Sequence, residues 1–237
     1  MHPTSSAGPA PSARGLHRFI FAALLTAGFL SAAPVGAGVQ TFGLDGGGAA
    51  LAARPQAEWV RQAQTLEKRA DWIGLLSHGR DWARADRQNP IAWFVQGRAL
   101  AELGRHAEAI AAYRQNLRLV PRDVWAWNNL GSAWRDSGNP REAMQAYRAA
   151  VEIDPGYLPA WSNLGLTFYL AKGEAGVAQA LQRLEAADPK LAAAWRQLAI
   201  EHSMTRDPRL AGEAIEIFRG IDEARRRRLF DIVFADV

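Results

Sequence analysis

The sequence predicts an all-α protein, a solenoid of helix-turn-helix units closed by helices at its C-terminus. Three observations carry this. Trp59, Trp93, Trp127, Trp161 and Trp195 stand thirty-four residues apart, so five of the nine tryptophans share one phase. From Gln56 to about Phe218 the chain aligns with itself at that step without a gap. Small residues, a mid-unit glycine and a late proline then recur at fixed places, the punctuation expected of two helices and two turns per unit.

With columns counted from Pro90, the eighth reads Ala63, Gly97, Gly131, Gly165 and Ala199, small wherever two helix backbones are expected to approach closely. The twentieth reads Leu75, Ala109, Ala143, Val177 and Ala211. Gly104 and Gly138 mark the turn between the first and second helix. Pro121, Pro155 and Pro189 fill column thirty-two, where proline removes a backbone donor and ends a helix before the next unit begins. In the unit 124–157, Trp127, Leu130, Gly131 and Trp134 recur at three- and four-residue spacing and form one buried helix face. Trp125, Asn128, Asn129, Ser132 and Arg135 occupy the rest of that helix.

The signature Trp-x2-Leu-Gly with a later small residue, aromatic and proline resembles the tetratricopeptide repeat. Trp127-Asn-Asn-Leu-Gly131 and Trp161-Ser-Asn-Leu-Gly165 carry the resemblance, and Ala143, Tyr147 and Pro155 complete the first of them. It is clear in 90–123, 124–157 and 158–191. It is degenerate in 56–89, where Gln62, Gly79 and Arg87 replace the leucine, aromatic and proline, and in 192–219, which departs at His202 and carries Pro208 at its second-helix start. Terminal units face water on one side, so degeneracy there fits caps. The resemblance implies a right-handed superhelix over 56–219, with 220–237 as a capping helix.

The same resemblance implies that the polar face of each first helix lines a concave groove for a protein or peptide partner. The groove candidates are Phe94, Arg98, Trp125, Asn128, Asn129, Arg135, Asn163, Tyr169 and Arg196. Asn129 and Asn163 share a column with Gln197, which places amides one repeat apart along the groove. An amide offers both donor and acceptor and so pairs with an extended backbone of any sequence. The variant of the family that clamps a free C-terminal carboxylate is poorly matched, because Phe94 and Pro159 stand where its lysines are expected.

Residues 1–37 read as a secretory signal. Arg14 and Arg18 precede an uncharged apolar run at 19–30, and Val35-Gly-Ala37 suits a peptidase that requires small residues. The alternative is a retained anchor, since no charge occurs from 19 to 40. Both place the repeats outside the cytoplasm, in the periplasm of a bacterium, with 38–55 as a flexible linker containing Gly46-Gly-Gly48. There are no cysteines, which excludes disulfides, thiolate metal sites and cysteine nucleophiles.

The net charge is +4 and falls to +2 without Arg14 and Arg18, too weak a field to point to nucleic acid. No histidine pair has metal-ligand spacing, no phosphate loop or nucleophile elbow is present, and neither catalysis nor a cofactor is expected. The four arginines at 225–228 read as the solvated face of the capping helix, with contact to phosphates or anionic lipid as the alternative. The function expected is a protein-interaction scaffold in envelope assembly. The alternative is a non-catalytic accessory subunit for envelope polysaccharide or lipid handling.

Overall fold

A computed structural model of the chain describes residues 54–205 and 207–235, and these contain helices and turns without a strand. The expected signal and nearly all of the expected linker lie outside the described residues. Five helix pairs follow one another. They are α1 (Gln56–Lys68) with α2 (Trp72–Ala85), α3 (Pro90–Glu102) with α4 (His106–Leu119), and α5 (Val124–Asp136) with α6 (Pro140–Ile153). Next comes α7 (Leu158–Ala187), which is broken at Gly173 into two helices. Helix α8 starts as Pro189–Trp195, passes through a π-helical stretch, Arg196–Glu201, and ends as His202–Thr205. Helices α9 (Pro208–Gly220) and α10 (Glu223–Val233) close the chain. Among the described residues no helix is long and apolar enough to cross a membrane.

The first three hairpins share one register. Each first helix is thirteen residues, each second helix fourteen, and the turn between them follows one hydrogen-bonding scheme. In that scheme the amides of Asp71, Arg105 and Asn139 reach back five residues to the carbonyls of Leu66, Leu100 and Trp134, at 3.0, 2.9 and 2.9 Å. The residue before each of these amides must take a positive φ. Gly104 and Gly138 do so at 72° and 81°, and Ala70 is forced to 54° in the first unit. A left-handed alanine costs about 1–2 kcal/mol, more than glycine loses in chain entropy. Ala70→Gly is therefore expected to raise the urea midpoint, by about 0.5–1 kcal/mol in stability, while Gly104→Ala lowers it by a similar amount.

Side-chain caps begin many of the helices. Asp71, Asn89, Asp123, Asp188, Asp207 and Asp222 each accept a backbone N–H from the first turn of the helix that follows. Each such cap contributes about 1 kcal/mol. In column four, the indole Nε1 of Trp93, Trp127 and Trp161 donates to the carbonyl six residues earlier, of Arg87, Pro121 and Pro155, at 2.9 Å in every case. This ties each first helix to the loop that delivers it.

The small residue of column eight has a more specific cause than backbone crossing. A Cβ on Gly97 would stand 2.7 Å from the Tyr113 ring, and one on Gly131 would stand 2.6 Å from the Tyr147 ring. Both tyrosines belong to the second helix of the same unit. In the fourth unit the residue at the tyrosine column is Leu181, half-buried, and the space against Gly165 is filled by the Ala199 carbonyl of α8. Gly165→Ala would drive a methyl into backbone that cannot rotate away. Its melting temperature should fall further than that of Gly131→Ala, where overpacking a ring costs about 1–3 kcal/mol.

The end of the array therefore departs from the pattern of its sequence. Pro189 does not stand free between units; capped by Asp188, it is the first residue of α8. Its carbonyl enters the helix, and the Trp195 Nε1 that would have used it is buried without a partner. The C-terminal helices reach past the last unit. Phe218 and Phe230 lie 4.1 and 6.0 Å, ring to ring, from Trp161, and Phe234 lies 5.3 Å from Phe168 and 5.8 Å from Trp195. The Arg148 guanidinium lies 4.6 Å above the Phe230 ring, and Arg225 Nε reaches Asp188 at 2.6 Å. The arginine run at 225–228 has three exposed members and one half-buried.

In the first unit His78 is buried between Trp59 and Trp82, with ring centroids at 5.0 and 6.1 Å, and its Nε2 donates to the Trp59 carbonyl at 2.8 Å. Burial holds the imidazole below its ordinary range and Arg54 adds to this, while the carbonyl contact and Asp81 oppose. The unfolded chain therefore takes up the proton first as pH falls. The stability His78 contributes is present above about pH 6.5 and is lost below it. Urea midpoints at pH 7.5 and 5.5 should differ more for the wild type than for His78→Gln.

Candidate functional site

Between the third and fourth units the polar faces of the first helices are joined by side-chain amides. Asn163 Nδ2 donates to Asn128 Oδ1 at 2.9 Å, joining α7 to α5. Asn128 Nδ2 reaches Asn129 Oδ1 at 3.5 Å, and Arg135 Nη1 reaches Asn163 Oδ1 at 3.5 Å, both at the long limit. Arg135 Nε is paired with Asp136 at 2.9 Å. Beneath this seam the Tyr147 hydroxyl donates to Ser132 Oγ at 3.0 Å, and Ser132 in turn donates to the Asn128 carbonyl at 3.3 Å. Burial pushes the Tyr147 phenol up to about 12, against the pull of Arg135, so it remains a donor at neutral pH.

Two polar atoms along this seam are shut away from solvent with no hydrogen-bond partner, Asn129 Nδ2 and Ser162 Oγ. Such a group costs about 1–3 kcal/mol and calls for an explanation. Asn163 and Arg135 are half-buried and reachable, whereas Asn128 and Asn129 are each only 4% exposed and form the floor. The amide pairing is diagonal: Asn163 bonds Asn128, thirty-five residues away, and not Asn129 in its own column. Gln197 lies in the π-helical stretch of α8, outside the helical geometry of the other units.

The remaining groove candidates are not gathered here. Phe94 is buried and meets the Tyr113 ring edge-on at 5.9 Å, so it belongs to the core of its hairpin and not to an open wall. Arg98 is likewise buried, because Glu67 of the preceding unit holds it at 2.7 Å. Burial raises the Glu67 carboxyl pKa, Arg98 lowers it, and Glu102 raises it further. Trp125 is half-buried beside the seam in sequence. Tyr169 packs its ring against the core. Arg196 forms an exposed pair with Glu185 at 3.6 Å and joins no member of the seam.

Two participants escaped the column reading, Tyr147 and Glu67, whereas Ser132 was placed on the groove face. Tyr147 looks like scaffold because its ring fills the Gly131 notch, and only the serine at column nine reveals a use for its hydroxyl. Glu67 sits thirty-one residues before Arg98, one turn short of a repeat, and pairs with it between neighbouring first helices.

The described residues define a class, an α-solenoid of stacked helical hairpins with a polar inner seam. Residues 80–124 and 94–157 match the family model described as tetratricopeptide repeat. Residues 80–157, the second and third units with the end of the first, are thus matched as tetratricopeptide repeats. Among solved structures it is similar to a crystal structure of MamA, at 22% identity over 70% of this chain and 94% of that one, with a TM-score of 0.45. It is also similar to MamA from residue 41 to its end, from Desulfovibrio magneticus RS-1, at 22% identity over 71% and 96%, with a TM-score of 0.47. No curated protein matches the chain.

Proposed function

We propose that this chain is an exported interaction scaffold, and that an extended segment of a protein partner lies across the seam formed by Asn128, Asn129, Arg135 and Asn163. The observation that carries the reading is the half-buried amide of Asn163 and guanidinium of Arg135, which solvent can reach and which are joined to each other only at 3.5 Å. An extended backbone offers alternating carbonyls and N–H groups, the first as acceptors for a guanidinium and the second as donors to an amide oxygen. The long Arg135 to Asn163 contact leaves that guanidinium free to turn toward a carbonyl or carboxylate of the guest.

Export by residues 1–37 and work in the bacterial periplasm, in the assembly of envelope machinery, complete the proposal. The uncharged run after Arg14 and Arg18 supports export. N-terminal sequencing of the protein recovered from an envelope fraction is expected to begin near residue 38. A start at residue 1 would replace the cleaved signal with a retained anchor.

The groove is tested by peptide-display selection on the purified protein. Enriched peptides should bind the wild type, and Arg135→Ala and Asn163→Ala should each weaken them about tenfold, with unchanged helicity by circular dichroism. A tenfold loss corresponds to one or two lost hydrogen bonds. Selection that enriches nothing, or affinities indifferent to both substitutions, would overturn the reading.

A further inference from the structure

A second feature of the molecule stands apart from the groove, on the outer edge between the first and second units. Ile73 and Leu76 of α2, with Leu103 from the turn after α3, form the apolar floor of a shallow depression of about 580 Å³. Arg80, Arg84 and Arg105 stand around it, and Asp81 is the one carboxylate in its lining, which leaves the rim net positive. Ile73 is 74% exposed, one of two large hydrophobic side chains so exposed among the described residues.

The repeat itself shows that neither Ile73 nor Arg80 is there for the fold. Ile73 occupies column eighteen, where the other units carry Ala107, Arg141, Ala175 and Arg209, all exposed. The solenoid never buries this column, so it has no structural use for a branched apolar side chain. Arg80 occupies column twenty-five with Arg114 and Arg148. Those two lie over aromatic rings, Arg114 at 5.2 Å from Trp134 and Arg148 at 4.6 Å from Phe230. Arg80 has no ring and no ion pair among the described residues. Arg84 is paired with Asp81 on its own helix and Arg105, the residue before α4, with Glu108 in the first turn of that helix, but these are solvent-exposed contacts that hold a guanidinium weakly. All three cations can therefore turn toward a guest.

We propose that this edge is a second docking site, distinct from the groove, which takes an acidic peptide segment anchored by one apolar side chain. The apolar side chain lies on Ile73, Leu76 and Leu103, and flanking carboxylates meet Arg80, Arg84 and Arg105. Charge complementarity selects an acidic guest, and the apolar floor selects a side chain over a bare anion. Arginine suits the task because its planar fork grips a carboxylate through two parallel N–H donors.

The test uses the full chain and fluorescein-labelled Gly-Asp-Glu-Phe-Glu-Asp-Gly in fluorescence anisotropy. Saturable binding is expected, weakening as sodium chloride rises from 50 to 300 mM. A peptide with lysine at the four acidic positions, and one with serine for phenylalanine, should each bind at least about tenfold more weakly. Ile73→Ser and Arg80→Glu should each produce a loss of the same order. Both positions are exposed, and circular dichroism should confirm unchanged helicity. Asn163→Ala should leave this binding intact, which separates the edge from the groove. The proposal is overturned by absence of saturable binding, by equal affinity for the lysine peptide, or by sensitivity to Asn163→Ala alone. Phosphatidylglycerol vesicles that bind through Ile73 and Arg80, where the acidic peptide does not, would equally overturn it.

Discussion

A tyrosine ring pressed into the notch left by a glycine holds each central hairpin closed. Tyr113 against Gly97 and Tyr147 against Gly131 set the distance between the two helices of a unit, and no side chain larger than hydrogen fits beneath the ring. Within these hairpins the turn closes in the left-handed conformation taken by Gly104 and Gly138. The inner seam follows from the same contact. The ring that braces the hairpin carries a hydroxyl, and that hydroxyl reaches Ser132 under the asparagine floor. Stability and surface chemistry are thus two ends of one side chain.

The period of thirty-four made the helical hairpins of the first three units legible, because tryptophan, glycine and proline report helix spacing, turn conformation and helix ends through local chemistry. Helices α1 to α6 fall on the columns that these residues define. The candidate site was legible only in part. Column position separates the face of a helix that meets its own hairpin from the face that does not, but it does not say how deep the second face lies. Phe94 and Arg98 have groove columns and are buried, since Tyr113 receives one and Glu67 the other. Asn128 was drawn beside a ladder of Asn129 and Asn163 and proves to be its junction, because neighbouring helices are offset by a fraction of a turn that a strict column count ignores.

The fourth unit shows where local pattern and tertiary packing part company. Its first helix has the Trp161, Leu164 and Gly165 of its predecessors, yet its partner is chosen by what fills the glycine notch. Leu181 stands where a tyrosine should and does not fill it, and the helix after Pro189 comes in instead. That substitution explains several otherwise separate observations: a one-residue link at Asp188, a π-helical stretch beside the contact, and an indole without its usual carbonyl. The aromatic side chains of α9 and α10 then cover Trp161 and Trp195 completely.

The sealed condition of those two indoles bears on how such an array can grow or shrink. Duplicating a middle unit inserts a hairpin whose notch, ring and turn are self-contained, so neighbouring copies can accept it. Adding one between Ala187 and Glu223 cannot proceed in the same way, because the terminal sockets are already occupied by the chain's own closing helices. Lineages carrying this ending should therefore vary in the number of central hairpins while keeping residues 158–234 together as a single inherited block.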